Sequence, residues 1–436
     1  MTRVLVTDAG RGSGMAVVRA LGRRGMDVIA GDTSRASPAF ASRYVTAKTV
    51  YPQPEEHGPA AVAAIVDAAL AHGVDLVIPV GETLVILLSA ARESFPASVR
   101  LAVADAHALA VARDKQATVE LAARLGVPAP RTSIVETAAD AVRAAEAFEW
   151  PVVLKPQRSR AVRGEAGEGG VDAFGVQYAA SPSELARRMD ALEGRCAVLL
   201  QEYCAGEGHG VGLLLDRGRP VLGFQYRRLR EVPYTGGPSS FRESVPLDAY
   251  LFDHSVRLLA ALDWTGPAMV EWKVGARGPM LMEINGRLWG SLALAVKAGV
   301  DLPGGLVDLY LDRADARAVT PDAAYRAGVR ARDLGLELTW IAAALLRKTD
   351  YPFLLPPSRR EALAAAFRLL DPRDGFDLFC RDDPLPGLLD VARLGAHGPK
   401  RLLATLRPRS GPRARADRPP PAPGAESDLD VGEQRP

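Results

Sequence analysis

Within the first hundred residues, short apolar runs alternate with amphipathic stretches. VLVTD from Val4 is followed by GMAVVRALGRRG from Gly14, DVIAGD from Asp27, a stretch from Pro59 to His72, DLVIPV at 75–80 and VRLAVA at 99–104. Strands that are apolar on both faces, separated by helices, predict a parallel sheet covered by helices on both sides. The first turn, Gly10-x-Gly12-x-Gly14, with Asp32 at the end of the second run, has the ingredients of a dinucleotide fingerprint. Its spacing departs from G-x-G-x-x-G, which favours a structural tight turn where helix packs on sheet.

A chain of 436 residues exceeds one ordinary core and predicts about three domains. The formal net charge of +2 and the lack of a basic face interleaved with aromatics argue against a nucleic-acid partner. Cys196, Cys204 and Cys380 are odd in number and widely spaced, which supports neither a disulfide framework nor a zinc site. No leader pattern or membrane-length apolar run occurs, so a cytoplasmic protein with no membrane partner is the expectation.

From Asp114-Lys115 the pattern changes. A helix (KQATVELAARLG) ends in Gly126, another (AADAVRAAEAFE) follows, and the strand PVVLKP carries Lys155 at its end. The glycine-rich, charged segment 158–170 comes next, then a strand, a helix and the strand AVLLQEY. These predict a compact α+β unit, continued by a larger antiparallel unit through GVGLLLD and RPVLGFQYRRL. Residues 313–408 read as mainly helical and apolar, with no chemistry evident, and 409–436 as a proline-rich tail too polar to order itself.

Two strand-like segments, AMVEWKV at 268–274 and PMLMEIN at 279–285, flank Ala276-Arg277-Gly278, which reads as a three-residue hairpin loop. Such a loop pairs residues whose numbers sum to 554, opposing Glu271 to Glu283 and placing Asn285 on the same face. Directly opposed like charges are destabilising, so the pair points to a cation between them, most simply Mg²⁺. The same glutamates also fit a solvated hairpin face beside a lysine or arginine. Arg287 adds a fixed cation two residues beyond.

Lys115, Lys155, the loop RGEAGEGG, the strand end Gln201-Glu202-Tyr203-Cys204 and the Glu271/Glu283/Asn285/Arg287 hairpin occur in an order that resembles the ATP-grasp superfamily of ADP-forming ligases. That superfamily includes biotin carboxylase and carbamoyl-phosphate synthetase. The likeness covers roughly residues 1–312, and Ile-Asn-Gly-Arg-Leu-Trp-Gly-Ser after Glu283 looks most like the bacterial ATP-grasp carboligases.

The resemblance implies a Rossmann-like pre-ATP-grasp domain at 1–110 and an ATP-grasp domain at 111–312, with its lid subdomain at about 130–200. It implies that Lys115 and Lys155 hold ATP phosphates and that Gly167, Gly169 and Gly170 belong to the lid over them. Backbone groups of Gln201, Glu202 and Cys204 would meet the adenine. His209 stands where relatives carry a ribose-binding glutamate, and is either a ligand or a solvated histidine. Glu271, Glu283 and Asn285 would bind Mg²⁺, with Mn²⁺ as an expected substitute, and Arg287 and Lys155 would act on the reacting groups. Arg227, Arg228 and the turn Thr235-Gly236-Gly237-Pro238-Ser239 would face an anionic substrate or connect strands only. The implied reaction converts a carboxylate to an acyl phosphate that an amine attacks to form an amide. A bicarbonate-dependent carboxylase, a non-catalytic nucleotide-binding protein and an NAD-dependent oxidoreductase are the alternatives, and a homodimer is compatible with the resemblance.

Overall fold

The computed structural model describes residues 1–162, 171–192, 196–234, 236–312, 325–347 and 356–406. The loop glycines Gly167, Gly169 and Gly170, residue Thr235 and the tail 409–436 lie outside the described residues.

The N-terminal alternation folds as its hydrophobicity requires. Strand β1 (Arg3–Val6) leads into helix α1 (Gly12–Arg23), then β2 (Asp27–Asp32), β3 (Val45–Val50), α2 (Gly58–Ala71), β4 (Leu76–Ile78), α3 (Glu82–Ala90) and the short β5 (Arg100–Leu101). They form a parallel sheet in the order β3-β2-β1-β4-β5. The glycine turn before α1 is held by Asp32, whose Oδ2 accepts from the Gly10 amide at 3.0 Å and from Ser37 Oγ at 2.6 Å. A Cβ on Gly14 would meet the Ala9 Cα at 2.8 Å, so glycine lets α1 sit directly on the strand end.

Helix α4 (Ala106–Arg113) leads to α5 (Lys115–Arg124), which Asp114 caps by accepting from the Gln116 and Ala117 amides. Then come β6 (Thr132–Val135), α6 (Ala138–Ala145), β7 (Val152–Pro156), β8 (Arg160–Val162), β9 (Val171–Ala173), β10 (Gln177–Ala179), α7 (Pro182–Asp190) and β11 (Val198–Glu202). The sheet β10-β7-β11-β6 buries Leu154, Val198 and Leu200 against α6 and α7.

The next strands are β12 (Glu207–Asp216), β13 (Arg219–Glu231), β14 (Ser239–Val245), then α8 (Ala249–Ala260), β15 (Gly266–Gly275) and β16 (Gly278–Asn285). After helices α9 (Leu292–Ala298) and α10 (Leu302–Tyr310), the C-terminal part supplies β17 (Arg330–Arg332), α11 (Leu334–Leu345), α12 (Arg359–Arg368), β18 (Asp374–Phe376) and α13 (Leu385–Leu406). Among the described residues one sheet runs β16-β15-β12-β13-β14-β17-β18. The C-terminal part is thus mainly helical, but it also extends the central sheet by two three-residue strands.

One face of this sheet is sealed by α8, where the buried Trp272 donates its indole N–H to Ser255 Oγ at 3.1 Å. On the other face, Gly208, Gly210 and Gly212 line up along β12 because side chains alternate. The missing side chains leave room for neighbours: a Cβ on Gly208 would stand 2.9 Å from Arg228 Cδ, one on Gly210 would strike the Tyr226 ring, and one on Gly212 the Trp289 ring. Trp289 is fully buried there. Gly212→Val is expected to cost about 3 kcal/mol or more by overpacking, read as a fall in Tm on thermal melting. An unchanged Tm would show that Trp289 has room to move.

Candidate functional site

Glu271 does oppose Glu283, though by a different route from the one the loop predicts. Gly275 pairs with Gly278 across a two-residue turn, Ala276-Arg277, so the register near the turn sums to 553. A bulge on β16, where Met282 is the extra residue facing the step from Glu271 to Trp272 of β15, adds the missing residue and restores the pairing of Glu271 with Glu283 and of Met269 with Asn285. Bulges re-aim side chains beside functional sites, and this one aims two carboxylates into a cleft of about 990 Å³.

The two acids are unlike in their surroundings. Burial pushes the Glu283 carboxyl up, but Lys115, the Asn285 amide, Lys155 and Arg287 outweigh it and hold the group below the usual glutamate value. Asn285 Nδ2 donates to Glu283 Oε1 at 2.9 Å. Glu271 goes the other way: burial raises it despite Arg228, and the negative charge of Glu283 adds to the rise. Arg228 Nη2 lies 2.5 Å from Glu271 Oε2, and its Nη1 lies 3.0 Å from Glu231. Lys273 reaches Glu231 at 3.1 Å, completing a chain of alternating charges along the cleft floor.

Lysine side chains close the site from two elements. Lys155 sits at the end of β7, paired with Leu199 of β11, and lines the cleft. Burial lowers its ammonium below the ordinary lysine value; Glu283 pulls it back and Lys115 deepens the fall. Lys115, buried at the start of α5, donates to Ser159 Oγ at 2.8 Å. Arg287 donates to Asn285 Oδ1 at 3.1 Å and to the Leu288 carbonyl at 3.0 Å, and its Nε lies 3.9 Å from Glu82. Glu82, at the start of α3, also stands 3.9 Å from Arg160 of β8, which reaches Glu55 at 3.4 Å. The sequence reading missed Glu82 and Arg160, because nothing local marks residues that meet only through the packing of separate sheets.

Other expected site residues are placed differently. Arg228 lines the cleft with Gly236, Gly237 and Ser239. Arg227 is a correction: as the next residue on the strand it faces the other side, paired to Glu243 at 2.7 Å and to Glu207 at 3.5 Å. His209 is corrected for the same reason. It pairs with Arg227 and Trp272, on the face opposite Glu271, and its ring lies between Glu207 at 3.0 Å and Gln225 at 3.3 Å. Gln201 shares a face with Lys155, but its amide donates to Thr132 Oγ1 at 2.9 Å. The Glu202 carboxylate accepts from the Arg131 amide at 3.0 Å and meets Arg277 at 3.1 Å, while Cys204 Sγ accepts from Arg277. Ser239 Oγ donates to the Arg230 and Phe241 carbonyls, which holds the turn.

The donor set fits a hard divalent cation that shares its coordination with phosphate. Among the described residues no group of three or more His, Cys, Asp or Glu could hold a metal ion. Two carboxylates and an amide oxygen suit Mg²⁺, which keeps waters and binds through few protein oxygens plus substrate phosphates. A cation between Glu271 and Glu283 would also relieve the repulsion that raises Glu271.

Known proteins share this architecture. A family model described as ATP-grasp in the biosynthetic pathway with Ter operon matches residues 195–332. Among solved structures, the biotin carboxylase domain of 2-oxoglutarate carboxylase from Hydrogenobacter thermophilus, in complex with MgADP, ADP and bicarbonate, superposes with a TM-score of 0.59 at 19% identity. That match covers 76% of this chain and 73% of the other. L-amino acid ligase from Bacillus licheniformis gives 0.54 at 15% identity, covering 73% and 78%. N5-carboxyaminoimidazole synthetase from Staphylococcus aureus, complexed with ADP, gives 0.54 at 11% identity, covering 76% and 80%. The shared architecture is the ATP-grasp fold. No helix among the described residues is long and apolar enough to cross a membrane.

Proposed function

We propose that this ATP-grasp protein uses Mg-ATP to phosphorylate a carboxylate and passes the resulting acyl phosphate to an amine, forming an amide and releasing ADP and phosphate. The observation that carries the reading is the opposed Glu271/Glu283 pair with Lys155 and Lys115 beside it. The amide-forming and carboxylating enzymes with the same fold support a carboxylate as the acceptor.

Glu271, Glu283 and Asn285 would hold Mg²⁺, which supplies charge neutralisation on the phosphate oxygens. Lys155 and Lys115 act as point charges on the transferred group, and the depressed ammonium of Lys155 gains from a phosphate because burial and the neighbouring Lys115 disfavour its charge. Arg287, pinned by Asn285, offers its guanidinium to the carboxylate. Arg228 must share or release Glu271 Oε2 when the cation binds. No side-chain nucleophile is required, since phosphate is the leaving group and the chain's task is positioning and charge stabilisation.

A screen of acid and amine pairs for ADP release tests the reading, with bicarbonate as the only acid in one arm. Release that needs both an organic acid and an amine supports it. Release with bicarbonate alone assigns a carboxylase instead.

Protons and Mg²⁺ compete for the same carboxylates. Because Glu271 is raised above the ordinary value of 4.5, the Mg²⁺ requirement for ATP binding is expected to steepen as pH falls toward and through that raised value, and to level off above it. Titrating Mg²⁺ at several pH values measures it; an apparent Mg²⁺ affinity independent of pH across that range would contradict the assignment.

A further inference from the structure

We propose that the wall of the cleft contributed by residues 333–336, 376–379 and 387–394 is the nucleophile's subsite, and that the nucleophile it takes is a primary amine carried on an apolar body. The proposal rests on the amide-forming reading above and adds to it a place and a chemical class.

This wall presents Leu334, Leu336, Phe376, Leu378, Val391 and Leu394 to the cleft, with three carboxylates, Asp333, Asp377 and Asp390. Among the described residues that line it, this stretch contributes no lysine or arginine. The metal end is lined by Lys155, Arg160, Arg228, Lys273 and Arg287 interleaved with Glu82, Glu231, Glu271 and Glu283, while Arg242 lies against Asp377 and Arg11 beside Asp8. Cations are in slight excess at the metal end and carboxylates in excess at this wall. A triphosphate and a carboxylate are drawn to one end, and an ammonium to the other.

Asp377 gives this wall a specific recognition group. It is 6% exposed, its Oδ2 is engaged by Arg242, and its Oδ1 is buried with no hydrogen-bond partner among the described residues. A buried acceptor without a donor is costly, and an ammonium N–H supplies the missing one. Burial, reinforced by Asp333 and only partly offset by Arg242 and Lys297, lifts the Asp377 acid to about 6. The N-terminal end of α1 closes the compartment: a Cβ on Gly12 would stand 2.9 Å from Asp377 Cβ. Asp333 Oδ1 caps α11 by accepting from the Leu336 amide at 2.9 Å, which fixes Leu334 and Leu336 at the wall. Apolar lining of this extent has no use for bicarbonate or ammonia and favours a substrate with carbon to bury.

The test is calorimetric titration of the full chain, with Mg-ADP present, by ethylamine, hexylamine, hexanol and hexanoate. The expected result is binding of hexylamine that strengthens by roughly fourfold per methylene over ethylamine, with hexanol and hexanoate at least about tenfold weaker than hexylamine. Asp377→Asn is expected to abolish the preference for amine over alcohol. Leu336→Lys, at a partly buried position, is expected to weaken hexylamine by about tenfold or more; ATP titration of the same variants reports whether the fold is intact. Hexylamine binding no tighter than hexanol, or unchanged in Leu336→Lys, overturns the proposal. Loss of Mg-dependent ATP binding in the parent chain would instead overturn the ligase reading, and is read in a separate titration.

Discussion

Glu283→Ala is expected to reduce ADP formation by roughly 10³-fold or more with the best acid and amine pair, and to remove most of the Mg²⁺ dependence of what remains. Glu283 is the carboxylate held ionised by Lys115, Asn285, Lys155 and Arg287, so its loss takes a metal ligand and leaves those cations without their shared counter-charge. Glu271→Ala should be milder in its effect on the fold, because Arg228 retains Glu231 as a partner at 3.0 Å. The double variant should be little worse than Glu283→Ala alone, since the two carboxylates serve one ion. Rates measured as ADP release under saturating ATP check this. Full activity in Glu283→Ala would remove the hairpin from the mechanism.

Lys155→Ala is expected to lower kcat by about 10²- to 10³-fold. The ammonium sits at a strand end against Glu283 and Glu271, in a site where burial already disfavours its charge, so a bound phosphate is the partner that makes it worthwhile. Lys155→Arg should not restore the rate. A planar guanidinium is larger and presents its donors as a fork, whereas the lysine ammonium is a compact point charge. Steady-state kinetics separate the outcomes: a fall in kcat marks transition-state stabilisation, while a rise in KM for ATP with kcat unchanged would reduce Lys155 to ground-state binding.

Much of the site was legible in the chain because its residues lie on strands whose faces alternate. The opposition of Glu271 and Glu283 follows from two strand segments and a turn, although the turn is one residue shorter than expected and the bulge at Met282 makes up the difference. Neither is visible locally, because Ala276-Arg277-Gly278 satisfies both loop lengths. Alternation could also have separated Arg227 from Arg228, since adjacent strand residues cannot share a face. For His209 the sequence lacked the register of β12 on β15, which is fixed by hydrogen bonds between segments some 60 residues apart. The C-terminal strands were illegible for a different reason. RAR and DGF are three residues long, and their charged side chains make sense only when seen together: Arg332 is fully buried between Glu337 and Asp374, and Arg242 against Asp377. A buried ion pair is costly unless both partners arrive, and no single segment announces its partner. Strands β1, β2 and β4 of the parallel sheet were the easiest to read, because burial on both faces forces uninterrupted apolar strands, whereas the edge strand β3, VTAKTV, alternates partly buried and exposed residues and went unread.

The central claim is that the bulged hairpin holds Mg²⁺ for ATP, and calorimetric titration of ATP into the full chain, with Mg²⁺ and with a chelator, tests it most directly. The account predicts tight binding with Mg²⁺, weakened by at least about tenfold by the chelator or by Glu283→Ala. Equal ATP affinity in all three would contradict it.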